Sequence, residues 1–264
     1  RRHCTRDGAT RKRLSPEGGS RASHPIIHPP MRVTVVLPTY NEAENITLLL
    51  PELLALPLTV LVVDDNSPDG TGNIVAEWAA REARVSVIRR PGKLGLGTAY
   101  VAGFERALAD GAEGVLTMDA DFSHHPRYIP AILAAAENAD VVIGSRYVPG
   151  GDVLYPFHRR FLSKTANFVA RAALGLRAHD CTAGFRLYRA TVLRKVPIER
   201  IRSSGYSFLV EMLTYAQRTG IRIAEVPIIF ADRERGVSKI SSREIFKGMT
   251  TVARLFRDRV LGRL

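Results

Sequence analysis

From residue 31 onward the chain repeats one pattern: a short run of β-branched and aliphatic residues, a polar loop, then a longer run with apolar residues three and four apart. Residues 33–37, 58–63, 85–89, 114–118 and 140–144 read as strands, and 42–54, 71–81, 95–108 and 125–137 as helices. A period near two puts alternate side chains on opposite faces of a strand, whereas a period near 3.6 lines one face of a helix. Strands that alternate with helices over short connections build a parallel sheet, because right-handed crossover helices return the chain to the same edge. The expected class is therefore α/β, one Rossmann-like domain with a mostly parallel central sheet. Beyond residue 150 the pattern loosens, with helices at 161–174 and 207–219, an extended piece at 185–188, and a strand at 221–230 interrupted by Pro227.

In such a sheet ligands gather outside the carboxyl ends of the strands. Three of the strands run directly into acidic loops there: Tyr40-Asn41-Glu42, Asp64-Asp65 and Asp119-Ala120-Asp121. Carboxylates two apart in an extended segment point to the same side, and their hard oxygens suit Mg²⁺ or Mn²⁺ with positions left open for substrate phosphates. A solvated turn with two incidental acids is the alternative for Asp119 and Asp121, and their place beside two other acidic loops favours the metal. Ser67-Pro68-Asp69-Gly70 is a good turn sequence, with Thr71 and Asn41 as candidate helix N-caps. The turn leaves Asp64 and Asp65 unexplained, at a place suited to binding a base or ribose. Gly95-Leu96-Gly97 lacks the third glycine and the following acidic residue of a dinucleotide fingerprint, which excludes a dehydrogenase.

The 38 Lys and Arg against 26 Asp and Glu give a net charge of +12, which suits phosphorylated substrates, an anionic membrane surface or nucleic acid. Part of that excess lies in residues 1–30, expected to be a disordered basic leader without the apolar stretch of a signal peptide. Cys4 and Cys181 provide neither a disulfide framework nor a metal cluster, consistent with a reducing, cytoplasmic setting. No window approaches the roughly 18 apolar residues of a membrane span. Residues 245–264 place Phe246, Met249, Val252, Phe256 and Val260 on one helical face, with Lys247, Arg254, Arg257, Arg259 and Arg263 mostly elsewhere. That is the profile of an interfacial helix, or of a terminal helix packed on the sheet with a basic outer face.

Five motifs occur in order: Val-Leu-Pro-Thr-Tyr-Asn-Glu (36–42), Val-Val-Asp-Asp-Asn-Ser-Pro-Asp-Gly-Thr (62–71), Lys-Leu-Gly-Leu-Gly-Thr-Ala-Tyr (93–100), Met-Asp-Ala-Asp-Phe-Ser-His (118–124) and Gly-Ser-Arg-Tyr (144–147). With Arg-Glu-Arg-Gly-Val-Ser-Lys (233–239), the set resembles the family 2 glycosyltransferases, specifically the dolichol-phosphate or polyprenol-phosphate mannose synthases, from about residue 32 to about residue 247. The resemblance implies a GT-A fold in residues 31–244, GDP-mannose as donor, and mannosyl transfer to polyprenyl (dolichyl) phosphate at the cytoplasmic face of a membrane. With no span in this chain, attachment is expected to be peripheral, through the membrane surface or a separate membrane-anchoring subunit, and no nucleic acid is expected as a partner.

Carried over residue by residue, the resemblance assigns Pro38, Tyr40, Glu42 and Asp65 to the nucleoside, and Asp119, Ala120 and Asp121 to the metal and diphosphate. Where relatives often have a Gln as third metal ligand, this chain has Ser123, which leaves that ligand open. Arg146 is implied at the reacting centre, Arg159 and Ser163 on the acceptor phosphate, and Arg233 and Lys239 over the diphosphate. Arg159 and Arg160 could alternatively form a solvated helix face. Asp180 and Arg186 are candidates for an ion pair, either organising the acceptor side or purely structural. A phosphate acceptor has a second pKa near 6, so it needs no general base; Glu211 is the nearest candidate for one. The alternatives are a glucosyltransferase using UDP-glucose, and a non-catalytic nucleic-acid- or membrane-binding protein.

Overall fold

The first strand, β1 (Val33–Thr39), is buried almost throughout, and its alternation sorts the molecule into two cores. Val36 packs on one side of the sheet, and Val33, Val35 and Leu37 on the other. These and all further structural statements come from a computed structural model that describes residues 31–154, 157–205, 207–231 and 242–264. The expected leader, with Cys4, lies outside the described residues, and Met31–Leu264 form one unit.

After β1 come α1 (Ala43–Leu54), β2 (Thr59–Asp64), α2 (Thr71–Ala79), β3 (Val85–Arg89), α3 (Leu96–Ala109) and β4 (Gly114–Thr117). A 3-10 turn at Pro126–Tyr128 leads into α4 (Ile129–Ala135) and β5 (Val141–Ser145). The second half holds β6 (Asp152–Val153), α5 (Phe157–Leu174), β7 (Arg186–Arg189), α6 (Ala190–Leu193), α7 (Ser207–Arg218), β8 (Ile223–Pro227), β9 (Ile229–Phe230) and α8 (Ser242–Val260). The expected periodicities thus recover the elements that carry the loops, with ends shifted by a residue or a few.

Seven strands form the main sheet in the order β3-β2-β1-β4-β7-β5-β8. All neighbours are parallel except that β7 runs antiparallel to both β4 and β5. This reversal matters for the site. β1, β2, β3, β4 and β5 all end on one edge, and the loop that enters β7 reaches that same edge from the opposite direction.

Two local expectations are corrected. Asn41 is not an N-cap: it takes a left-handed φ of 59°, and Glu42 precedes α1 without a side-chain cap bond. Thr71 is the first residue of α2, after a Gly70 whose φ of 87° suits a residue without Cβ. The last helix begins at Ser242 and packs against α5 and α7 with Leu255 fully buried, as in the packed alternative. Burying one leucine contributes about 1.5–3 kcal/mol, and Arg254 adds an ion pair to Glu211 of α7 at 2.8 Å. Of the expected stripe, Val252 is partly buried against the core, whereas Phe246, Met249, Phe256 and Val260 are exposed. Among the described residues no helix is long and apolar enough to cross a membrane.

Candidate active site

The residues expected at the nucleotide lie at the ends of β1 and β2 and in the loops after them, with the loop after β3 beside them. Asp64, buried at the end of β2, accepts from the Thr39 hydroxyl at 3.0 Å, the Ser67 hydroxyl at 2.5 Å and the Ser67 amide at 3.1 Å. The Ser67 hydroxyl in turn accepts from the Asn41 amide at 3.0 Å, so Asp64 ties the first two loops together. Asp69 accepts from the Thr71 hydroxyl and amide and from the Ala43 amide. Burial pushes its carboxyl up, but these hydrogen bonds prevail and hold it below the usual range.

Asp65 forms a buried ion pair with Arg90, whose guanidinium also donates to the Thr98 hydroxyl at 2.8 Å and the Gly95 carbonyl at 3.2 Å. Glu42 accepts from the Asn45 side chain at 2.8 Å and its amide donates to the Thr71 hydroxyl. Lys93 stands 4.3 Å over the Tyr40 ring. Pro38 is half-buried in β1 beside them. The four residues expected at the nucleoside therefore lie at the ends of adjacent strands. Arg90 was missed, although it follows β3 in the same way that Asp65 follows β2.

The loop after β4 turns abruptly. Ala120 and Asp121 are buried, Phe122 takes a left-handed φ of 60°, and the Ser123 amide donates to Asp121 Oδ1 at 3.1 Å. The Asp119 amide donates to Nδ1 of His124 at 2.9 Å. His124 is buried between rings, stacked 5.1 Å from Phe185 and edge-on to Phe230 at 5.5 Å. Burial pushes its pKa down against the pull of Asp119 and Asp121, so the ring is neutral.

Among the described residues no cluster of three or more His, Cys, Asp and Glu could hold a metal ion by itself. Asp119 and Asp121 nonetheless fit Mg²⁺ or Mn²⁺ delivered with a diphosphate, because such ions take one or two carboxylates and complete their shell with phosphate oxygens and water. The structure gives Ser123 a role through its amide, holding Asp121.

The cluster expected on the acceptor side centres on Arg146, directly after β5. Its guanidinium reaches Asp180 through Nε at 2.7 Å and Nη2 at 2.8 Å, and Nη2 also reaches the Thr182 hydroxyl at 2.7 Å. Its plane lies near two rings, Tyr147 at 5.2 Å and Phe230 at 5.4 Å. Burial raises the pKa of fully buried Asp180, but the Arg146 charge and hydrogen bonds outweigh it and hold the carboxyl below its ordinary value. The loop entering antiparallel β7 supplies Asp180 and Thr182, which is why they meet Arg146.

The Tyr147 hydroxyl bonds Ser163 at 2.7 Å, joining this cluster to α5. Arg159 sits one turn before Ser163 on the same helix, while Arg160 pairs with Asp152 at 2.9 Å. The structure thus brings Arg146, Arg159 and Ser163 into one region. Arg233 and Lys239 lie outside the described residues.

Two expectations change. Asp180 pairs with Arg146 and not with Arg186, which is fully buried and donates to the carbonyls of Leu209 and Cys181 and to the Tyr188 hydroxyl. Glu211 is unsuited to be a base, being fully buried in α7 with Oε2 bound to the Ser203 amide at 2.9 Å and to Arg254. Cys181 is buried and unpaired, its thiol pushed up to about 12 mainly by burial.

Comparison with known proteins agrees with this geometry. The model of "Glycosyl transferase family 2" matches residues 34–197. A polyprenol monophosphomannose synthase of Mycolicibacterium smegmatis is 45% identical over 242 residues, covering 90% of this chain and 91% of the relative. An undecaprenyl-phosphate mannosyltransferase of Micrococcus luteus is 46% identical over 227 residues, covering 85% and 93%. Among solved structures, glucosyl-3-phosphoglycerate synthase of Mycobacterium tuberculosis superposes with a TM-score of 0.61 at 20% identity, covering 85% of this chain and 80% of the other. A mannosyltransferase of Pyrobaculum calidifontis in complex with GDP-Man and Mn²⁺ gives 0.54 at 19% identity, covering 87% and 64%. These likenesses establish the GT-A fold. With the family model over more than half of its length and both relatives matched almost end to end, the chain belongs to glycosyltransferase family 2.

Proposed function

We propose that this glycosyltransferase moves mannose from GDP-mannose to a polyprenyl phosphate such as dolichyl phosphate, inverting the anomeric centre with the help of Mg²⁺ or Mn²⁺. One observation carries the reading: a single side chain, Phe230, touches both His124 of the carboxylate loop and Arg146 of the basic cluster. Phe230 thus links the loop that carries the two aspartates to Arg146, and direct transfer between two phosphates requires that their sites adjoin. The names of the two relatives at 45% and 46% identity support the sugar and the lipid.

In this reading Tyr40, Glu42, Pro38 and Asp65 bind the nucleoside, with Arg90 fixing Asp65. Asp119 and Asp121 hold the metal–diphosphate, and Ser123 steadies Asp121 and stands where a third ligand would be. The metal supplies charge neutralisation for the leaving diphosphate. Arg146 and Arg159 orient the acceptor phosphate, Ser163 contacts it, and Arg233 and Lys239 serve the donor diphosphate. An acceptor oxygen forms the new bond to the anomeric carbon as the bond to the diphosphate breaks, and GDP departs with the electron pair. The phosphate is already ionised at neutral pH, so no base is needed, in keeping with the burial of Glu211. A donor panel with product anomer analysis tests this. The expected product is β-linked mannosyl phosphate; preference for UDP-glucose would overturn the donor, and an α-linked product would overturn inversion.

The lipid acceptor places the enzyme at a membrane surface, on the cytoplasmic side that supplies nucleotide sugars. Two helices that pack together each carry an exposed apolar stripe: Phe157, Phe161 and Phe168 on α5, and Phe246, Met249, Phe256 and Val260 on α8. Arg159 and Ser163 share α5 with the first stripe, which suits a headgroup bound while its chain stays in lipid.

A further inference from the structure

The loop from Asp119 to His124 leaves the sheet at a definite point. The Met118 amide still reaches the Val36 carbonyl, at a long 3.4 Å, and the next amide, Asp119, is taken by the His124 ring instead. Between them Phe122 holds a left-handed φ of 60°. For a residue with a bulky side chain this costs on the order of 1–3 kcal/mol, so it persists only where its surroundings fix it. Two hydrogen bonds do so: the Ser123 amide to Asp121, and the Asp119 amide to His124.

His124 is itself held rigidly. Phe185 stacks on it with 20° between the planes, Phe230 meets it at 71°, and a Cβ on Gly184 would lie 3.4 Å from its Cε1. A side chain so confined fixes the direction of the one lone pair on Nδ1. That lone pair points at the Asp119 amide, although a carboxylate oxygen of Asp119 is only 3.8 Å from the same nitrogen.

We propose that His124 is a positioning residue for the metal–diphosphate loop: its Nδ1 anchors the Asp119 amide and so sets where the Asp119 and Asp121 carboxylates point, without itself binding metal. This rests on the metal–diphosphate role proposed above for the two aspartates. The ring takes up the Asp119 amide just beyond the last ladder bond of the sheet and gives the loop a rigid base.

Calorimetric binding of Mn²⁺ in the presence of GDP, on the full chain, tests the proposal with three variants. His124→Phe keeps a ring without the acceptor, and His124→Asn and His124→Leu are near-isosteric but differ in whether an acceptor is present. The expected result is that His124→Phe and His124→Leu weaken Mn²⁺ binding about 10- to 100-fold, while His124→Asn retains most of it. If the Phe variant does not fold, the Asn and Leu pair decides. Equal metal affinity in Asn and Leu variants, with only melting temperatures lowered, would overturn the positioning role. Wild-type protein that binds GDP equally well with and without Mn²⁺ would instead overturn the underlying metal reading, and the proposal with it.

Discussion

Arg146 has a side chain only 10% exposed and Asp180 is fully buried, so each is in place because of the other. Breaking such a pair by removing one partner leaves an uncompensated charge and costs about 3–5 kcal/mol. Asp180→Ala is expected to lose stability on that scale in urea unfolding, whereas exchange of exposed Arg106 or Asp110 changes it by less than about 1 kcal/mol. Asp180 also sets a pH dependence. Its folded pKa lies below the unfolded value, so its stabilisation is complete above about pH 4 and is lost as pH falls through the folded value. Melting temperatures followed from pH 7 to pH 3 are expected to fall more steeply on the acid side in the wild type than in Asp180→Asn. Asp119 and Asp121 stand out in sequence because their strand end lies beside two other acidic strand ends, at residues 40–42 and 64–65, a convergence that chance placement rarely produces. Arg90, Tyr147 and His124 do not, because each acts through a partner distant in sequence, or through a ring nitrogen whose target is a backbone amide.

At the scale of elements, periodicity revealed the strands and helices because burial enforces it, as the split of β1 into two cores illustrates. It could not reveal the direction of β7: alternation is the same in parallel and antiparallel strands, and Arg186-Leu187-Tyr188-Arg189 carries no signal for either. That direction delivers Asp180 to Arg146, so the expected pairing with Arg186 failed for the same reason. Close packing of α3 on β1 gives a further test. A Cβ on Gly103 would come within 2.3 Å of Val36 Cγ1. Alanine favours a helix over glycine by up to about 1 kcal/mol, but overpacking costs about 1–3 kcal/mol. Gly103→Ala is therefore expected to lower the midpoint of urea unfolding despite its better helix propensity.

For the molecule as a whole, the basic balance of +12 is divided between residues 1–30 and the rest of the chain. Within the latter, cations such as Arg90, Arg146 and Arg254 are spent on internal carboxylates. The sequence alone suggested that residues 245–264 were either interfacial or packed. The structure has the helix packed through Leu255, with Phe246, Met249 and Phe256 exposed on its outer side. Replacing Phe161, Phe168, Phe246 and Phe256 together with serine is expected to lower binding to anionic vesicles and turnover of long-chain acceptor at least tenfold, with a short, water-soluble acceptor phosphate used as before. Loss of both activities in equal measure would contradict a docking role for these stripes.

The central claim is metal-assisted transfer between two phosphates at one sheet edge. Its most direct measurement is transfer of radiolabelled mannose from GDP-mannose to polyprenyl phosphate, with Mn²⁺ or with chelator, by the wild type and by Asp121→Ala. The account predicts labelled lipid with Mn²⁺, little with chelator, and a loss of at least about 10²-fold in the variant. Equal transfer in chelator, or an Asp121→Ala enzyme as active as the wild type, would contradict it.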